Sequence, residues 1–157
     1  KRNKSKLIRR ALTDRSYKDI YRKNNKEELD DSSTNFNLAN FGDAILKMCM
    51  MSFLFDEEQP SEIKKKFESD AYLVSVIAKK YDLIPKILKN DEIDMVMDYD
   101  YHTHNKYDMN GKLKGNKSKY IATAVEALFA AIFLETNDLN SIILFVQSWI
   151  ETDKNKQ

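Results

Sequence analysis

The most constraining feature of this 157-residue sequence is an apolar run at residues 38–55, LANFGDAILKMCMMSFLF. The run is too long for one strand and has few β-branched residues, so it predicts a buried helix. Gly42 and Asp43 nevertheless interrupt it, although both are poor helix formers in a helix interior. A glycine at this point lets a second backbone or a phosphate come close. The pair therefore indicates a functional or packing constraint on this helix.

A second apolar run, KYIATAVEALFAAIFL at residues 119–134, predicts another buried helix with Glu126 as its lone acid. Shorter amphipathic segments predict further helices at residues 4–12, 61–80, 84–89 and 138–151. Pro60 is suited to the first turn of a helix. The chain has only 3 Gly and 2 Pro, so long helices are expected. We predict an all-α fold of six or seven helices.

The remaining segments predict loops. Residues 21–37 are polar, which predicts a long exposed loop whose Ser32, Ser33 or Thr34 caps the helix that follows. Residues 91–118 are acidic and rich in tyrosine, and they have no clear period. The length of the chain suits one domain over residues 1–157.

Composition limits the environment and the partners. No run approaches the roughly 18 apolar residues of a membrane span, and the N-terminus lacks the apolar core of a signal peptide. The single Cys49 cannot form an intramolecular disulfide and is expected to be a buried thiol. We expect an intracellular, reducing compartment, either cytoplasm or nucleus. Because the net charge is only +1, any binding of nucleic acid must use local basic patches.

The two most apolar helices each carry one carboxylate near the middle, Asp43 and Glu126. Burying an unpaired charge is costly, so each acid needs a partner. One interpretation is that each pairs with a lysine or arginine, or caps a neighbouring helix. The other is that both converge on Mg²⁺, which prefers hard oxygen ligands and takes only a few of them from protein.

Three segments resemble the ribonuclease III family, in the family's order. LANFGDAIL is similar to its signature LEFLGDAVL, KSKYIATAVEALFAAIFLE to KxxLADAFEALIGAIYLD, and LIRRALTDRSY to LLxxALTHRSY. The resemblance spans about residues 4–150. It implies an all-helical endonuclease that dimerises and accepts double-stranded RNA. It also implies hydrolysis that depends on Mg²⁺, with Mn²⁺ as an alternative, and leaves a 5′-phosphate and a 3′-hydroxyl.

The acidic site departs from the family pattern. The resemblance implies that Asp43 and Glu126 are catalytic metal ligands, and it places an auxiliary acid near Glu57. Two further family carboxylates correspond to Ala39 and Thr123, which carry no charge. The neutral oxygens of Asn40 and Thr123 are substitute ligands to consider.

Two interpretations follow from these departures. The sequences LANFGD and TAVEAL resemble the Mini-III branch, which has Ala and Thr at the same positions and is still a nuclease. That branch has no double-stranded RNA-binding domain, and we expect none within residues 1–157 of this chain. That branch lacks the upstream ALTDRSY segment, which this chain has. The alternative is a catalytically inactive domain that dimerises and binds RNA. Because retaining two buried acids without a use is costly, the sequence favours an active nuclease.

Basic residues near the second motif are candidates for contacting RNA phosphates, since such contacts position a duplex without reading its sequence. The candidates are Lys114, Lys117, Lys119 and Arg15, with Arg10 as a weaker one. His102 and His104 form an H-x-H pair that is a minor candidate for a transition metal. The Met-rich segment KMCMMSFLF is expected to lie in the core or in a homodimer interface.

Overall fold

A computed structural model of the chain describes residues 5–90 and 119–156. These residues form seven α-helical segments: α1 (Ser5–Ala11), α2 (Tyr17–Asn25), α3 (Phe36–Leu54), α4 (Pro60–Glu68), α5 (Asp70–Tyr72), α6 (Lys119–Thr136) and α7 (Leu139–Lys154). A π-helical segment (Leu73–Ala78) follows α5, and 3-10 turns lie at Asp31–Ser33 and Ile84–Lys86. Within the described ranges there is no strand, and the predicted all-α class is confirmed.

The centre of the fold is the pair α3 and α6, which pack against each other more extensively than any other two described elements. Five alanines of α6 are fully buried, and their small side chains allow α3 to approach closely. From α3, Leu46 and Met50 are also fully buried. Cys49 lies beside them as a buried free thiol, as the sequence predicts. The two apolar runs therefore form one common core.

Helix α7 covers this core with an aromatic cluster. The Trp149 ring lies 5.5 Å from that of Phe129 in α6 and 5.3 Å from that of Phe145, both edge-on. Asp138 directly precedes the helix, and its Oδ1 accepts a hydrogen bond from the Ser141 backbone N–H at 3.0 Å. This is an N-cap, which satisfies one of the free donors of the first turn.

The ALTDRSY segment joins distant parts of the chain through backbone hydrogen bonds. Leu88 N–H donates to the Leu12 carbonyl and Asp14 N–H to the Leu88 carbonyl, both at 2.8 Å. Asn35 N–H donates to the Thr13 carbonyl, also at 2.8 Å. The segment therefore holds the start of α3 and the residues after the Ile84–Lys86 turn at fixed positions.

The single amphipathic helix predicted over residues 61–80 is wrong in one respect, because it is broken at Ser69. Ser69 has an extended backbone (φ −66°, ψ 144°), and its hydroxyl accepts the Tyr72 N–H. Serine competes with helical backbone bonding in this way, and the apolar period continues across the break. Pro60 is the first residue of α4, as predicted.

The long loop predicted over residues 21–37 is also wrong in its first part, where α2 extends to Asn25. None of the α2 residues is buried, and this short helix is polar on average, which is why the sequence favoured a loop. The predicted cap is wrong as well. Ser32 and Ser33 belong to the 3-10 turn, and Asn35 precedes α3 without a side-chain cap.

The predicted helix over residues 84–89 is reduced to the 3-10 turn Ile84–Lys86. No helix in residues 5–90 or 119–156 has the length and apolarity needed to cross a membrane.

Candidate metal and nucleic-acid site

Gly42 determines how closely the two acid-bearing helices approach. A Cβ at this position would lie 2.5 Å from the carbonyl carbon of Glu126 and closer still to its carbonyl oxygen. The Ala130 backbone nitrogen would lie 3.3 Å away. Since these neighbours are backbone atoms, they cannot rotate away as a side chain would. The glycine thus allows the backbone of α6 to approach, which was one of the two uses that the sequence suggested.

This contact brings Asp43 of α3 and Glu126 of α6 to one open cavity of about 450 Å³. The sequence-based prediction that the two acids converge is therefore consistent with where the side chains lie. Ala39 and Asn40 line the same cavity. Ala39 contributes only a methyl group to the wall, at the position where the resemblance implied a carboxylate.

Asp43 already has a partner one helical turn away. Lys47 Nζ donates to Asp43 Oδ2 at 2.7 Å, and the Asp43 side chain is 33% exposed. This hydrogen bond to Asp43 raises the pKa of the Lys47 ammonium. The salt-bridge interpretation of this acid is thus realised in the structure. The i, i+4 spacing of the two residues could have revealed the pair in advance.

Glu126 is in a different situation. Within the described parts of the chain, its carboxylate has no hydrogen-bond or ion-pair partner. Burial raises the pKa of this carboxyl to about 7, opposed by the nearby Lys119 and reinforced by the negative charge of Asp43. A carboxylate that is costly to ionise and lacks a partner is suited to bind a cation.

Two acids that the sequence analysis did not single out, Glu68 and Asp70, also line the cavity. They lie on either side of the break at Ser69. Lys119 Nζ lies 3.1 Å from Asp70 and holds it against the start of α6. No local pattern indicates this placement, because it depends on the break between α4 and α5 and on how α6 packs.

The donor set matches the preference of Mg²⁺ for hard oxygen ligands. Four carboxylates and two lysines line the cavity, so its formal charge is −2 when all are ionised. A divalent cation would neutralise that charge. In residues 5–90 and 119–156, however, no three His, Cys, Asp or Glu side chains lie close enough to form a metal group by themselves. The fit depends on two protein carboxylates, with water and phosphate as further ligands.

The structure does not bring Glu57 to this cavity. It lies beyond the far end of α3, and its Oε1 is 3.4 Å from Lys154 Nζ. From Asp43 to Leu54 alone, the helix rises about 16 Å. Thr123 is buried and does not line the cavity, and its hydroxyl donates to the Lys119 carbonyl at 2.9 Å.

The basic candidates have different positions. Lys119 lines the cavity. Arg15 lies elsewhere, over the Phe36 ring at 4.5 Å from its centroid and 3.5 Å from Asp31. Arg10 Nε donates to the Thr34 carbonyl at 3.1 Å. Lys114, Lys117, His102 and His104 lie outside the described residues.

Comparison with known families gives a match to the ribonuclease-III-like family model over residues 4–152. No curated protein sequence matches the chain. The family match covers nearly the whole sequence, including both helices that carry the acids and the ALTDRSY segment. The chain therefore belongs to the ribonuclease-III-like family.

Proposed function

We propose that this protein is a Mg²⁺-dependent endoribonuclease that cleaves double-stranded RNA. The observation that carries the proposal is the unpartnered, half-buried Glu126, which shares an open cavity with Asp43. A nuclease family explains why a cavity of this charge should face the solvent. RNA maturation and the production of small RNAs both fit such an activity.

Asp43 and Glu126 would hold the cation, Mg²⁺ or in its place Mn²⁺. When bound, the cation activates water and reduces the negative charge on the scissile phosphate. Asn40 and Asp70 line the same cavity, and in this proposal they would orient the water molecules that surround the cation. Water would attack phosphorus and lose a proton, and the bond from phosphorus to the 3′ oxygen would break as that oxygen takes up a proton, which leaves a 5′-phosphate and a 3′-hydroxyl.

Lys47 and Lys119 would have two functions in this proposal. Without a cation, they balance the acids at distances of 2.7 Å to Asp43 and 3.1 Å to Asp70. Both ammonium groups border the cavity, so each can turn to an RNA phosphate once a cation neutralises the acids. In the proposed complex they therefore hold the backbone of the duplex.

The family also suggests a homodimer, and the surface of α3 supports that suggestion. Phe41 is 41% exposed and Met48 is 51% exposed on the helix that carries Asp43. The Phe41 ring lies 6.0 Å from that of Phe133 in α6. A second copy packed here would bury apolar area that water now contacts. Sedimentation equilibrium of the wild type tests the dimer directly.

A second candidate function is an inactive scaffold that dimerises and binds RNA. The observation in its favour is the Lys47–Asp43 ion pair, which gives Asp43 a structural partner without any metal. Ala39 and Thr123 also lack the charge that the family pattern has at these positions.

One experiment separates the two functions. Labelled double-stranded RNA is incubated with Mg²⁺ and the wild type, Asp43→Asn or Glu126→Gln, with Glu135→Gln as control. Glu135 is exposed near the end of α6 and does not line the cavity. We expect cleavage by the wild type and the control, and loss of about 100-fold or more in the site variants because a metal ligand is lost.

Mn²⁺ binding, measured by electron paramagnetic resonance, gives a readout independent of activity. Loss of binding in both site variants supports their role as ligands. A wild type that neither cuts nor binds Mn²⁺ contradicts the nuclease proposal and leaves the scaffold. Cleavage by both site variants at the wild-type rate also contradicts it.

A further inference from the structure

A second cavity, of about 600 Å³, lies away from the acidic site, where α1, α2 and the Asp31–Ser33 turn meet. No acidic side chain lines it, while three cations do: Lys6, Arg9 and Arg10. In the described part of the chain, none of these three forms an ion pair. The acidic cavity differs, since each of its lysines has a carboxylate partner.

Two acids beside the lining serines, Asp30 and Asp31, already have partners. Asp31 is engaged by Lys18 at 3.0 Å and by Arg15 at 3.5 Å. Asp30 accepts a hydrogen bond of 2.7 Å from the Ser32 hydroxyl. Arg10 is itself held in place by its bond to the Thr34 carbonyl. A site with fixed and free cations but no lining acid is suited to a phosphate group.

The same cavity offers aromatic rings. Tyr17 and Tyr21 line it from one face of α2, and their ring centroids lie 6.5 Å apart at a tilt of 58°. Their i, i+4 spacing places both on that face. Neither ring is needed for the core, since α2 has no buried residue. Aromatic side chains next to cations favour a ligand that has both a flat ring and a phosphate.

The hydroxyl groups of Ser32 and Ser33 border the remaining side. Together these groups match the parts of a ribonucleotide: cations for phosphate, tyrosine for the base and serine for the sugar hydroxyl. The volume lies in the usual range for a small-ligand site of about 300–1,000 Å³. Membership of a ribonuclease family favours RNA over other phosphate ligands.

We infer that this cavity binds an unpaired nucleotide of RNA, with Tyr21 stacking on the base and Arg9 contacting the phosphate. A paired base cannot enter, since its faces are covered by its neighbours in the duplex. The site thus recognises a single-stranded segment, and the acidic cavity recognises a duplex. The inference does not depend on cleavage at Asp43.

The test is fluorescence anisotropy with a labelled ten-nucleotide oligouridine, in EDTA so that no RNA is cut. Tyr21→Leu should weaken binding about tenfold, the low end of what stacking contributes, without changing its salt dependence. Arg9→Ala should weaken binding and reduce the slope of log affinity against log salt by about 0.7, as expected for one lost phosphate contact.

Two matched controls lie outside the cavity. Lys23→Ala removes an exposed cation from α2, and Tyr81→Leu removes an exposed tyrosine elsewhere. Both should bind like the wild type, and circular dichroism should show that all four variants are folded. A competitor arm adds inorganic phosphate or a phosphotyrosine peptide, neither of which should displace the RNA at equal concentration.

Wild-type affinity in Tyr21→Leu overturns the inference. The inference is also overturned if Lys23→Ala weakens RNA binding as much as Arg9→Ala does. Binding would then depend on the positive charge of the surface in general and not on this cavity. Displacement by the phosphotyrosine peptide would assign the cavity to a protein partner instead. None of these outcomes affects the nuclease proposal, which is tested by Mg²⁺-dependent cleavage of a duplex.

Discussion

Replacing Gly42 by alanine tests whether backbone packing holds the acidic cavity together. The added Cβ would lie 2.5 Å from the Glu126 carbonyl carbon. The optimum distance between such atoms is about 3.5 Å, and the Glu126 carbonyl oxygen lies closer still, so the helices would have to separate by more than about 1 Å. Because the neighbours are backbone atoms, this strain cannot be relieved by a change of rotamer.

The size of the effect follows from two opposing terms. Overpacking of this kind typically costs about 1–3 kcal/mol, and here the upper value applies. Alanine in place of glycine within a helix contributes about 1 kcal/mol in the other direction. We therefore expect Gly42→Ala to lower the free energy of unfolding by about 2 kcal/mol, which for a domain of this size is about 4–8 °C in Tm.

Urea denaturation followed by circular dichroism measures this change. Ala44→Gly is the matched control, since Ala44 is an exposed residue of the same helix. It reports the helix-propensity term alone and should cost about 1 kcal/mol. If Gly42→Ala instead stabilises the protein by about 1 kcal/mol, the gain in helix propensity outweighs any steric clash. The close contact between α3 and α6 is then refuted.

Two further predictions concern single side chains. Because the folded-state pKa of Glu126 is about 7 against an ordinary 4.5, its ionisation lowers stability increasingly between those pH values. In EDTA, Glu126→Gln should therefore be stabilised relative to wild type at about pH 8, by at most about 3 kcal/mol, and not at about pH 4. An equal difference in unfolding free energy at both pH values would contradict this. Asp138→Ala removes the N-cap of α7 and should cost about 1 kcal/mol in thermal unfolding. Asn140→Ala, an exposed neighbour, should cost much less, and an equal cost would argue against the cap.

Much of the fold could be predicted because long apolar helices leave a strong pattern. The bounds of α3 and α6 differ from the predicted runs by no more than two residues. The helix at Tyr17–Asn25 escaped prediction because it is short and mostly polar and buries no side chain. The break at Ser69 escaped because the extended backbone of this one residue ends α4 and its hydroxyl caps α5, while the apolar spacing continues.

The candidate site could be predicted only in part, because some of its residues are brought there by contacts between distant parts of the chain. Asp43 and Glu126 stand out because each is a lone charge in an apolar helix. Asp70 does not stand out, since an aspartate between polar residues looks like any solvated one. Its place in the cavity depends on Lys119, 49 positions along the chain. Such pairings arise from packing and leave no local signal.

The hydrogen bonds of the ALTDRSY segment have a consequence for how such sequences are classified. Its backbone forms hydrogen bonds with Asn35, just before α3, and with Leu88. Its buried Ser16 hydroxyl accepts a hydrogen bond from the Asn90 N–H at 3.1 Å. None of residues 11, 12, 14 or 16 lines the acidic cavity. A match to this segment is thus diagnostic of architecture and carries no information on turnover. This chain would keep the same bonds if its chemistry were lost, so the carboxylates around the cavity, and not this segment, bear on whether it is a nuclease.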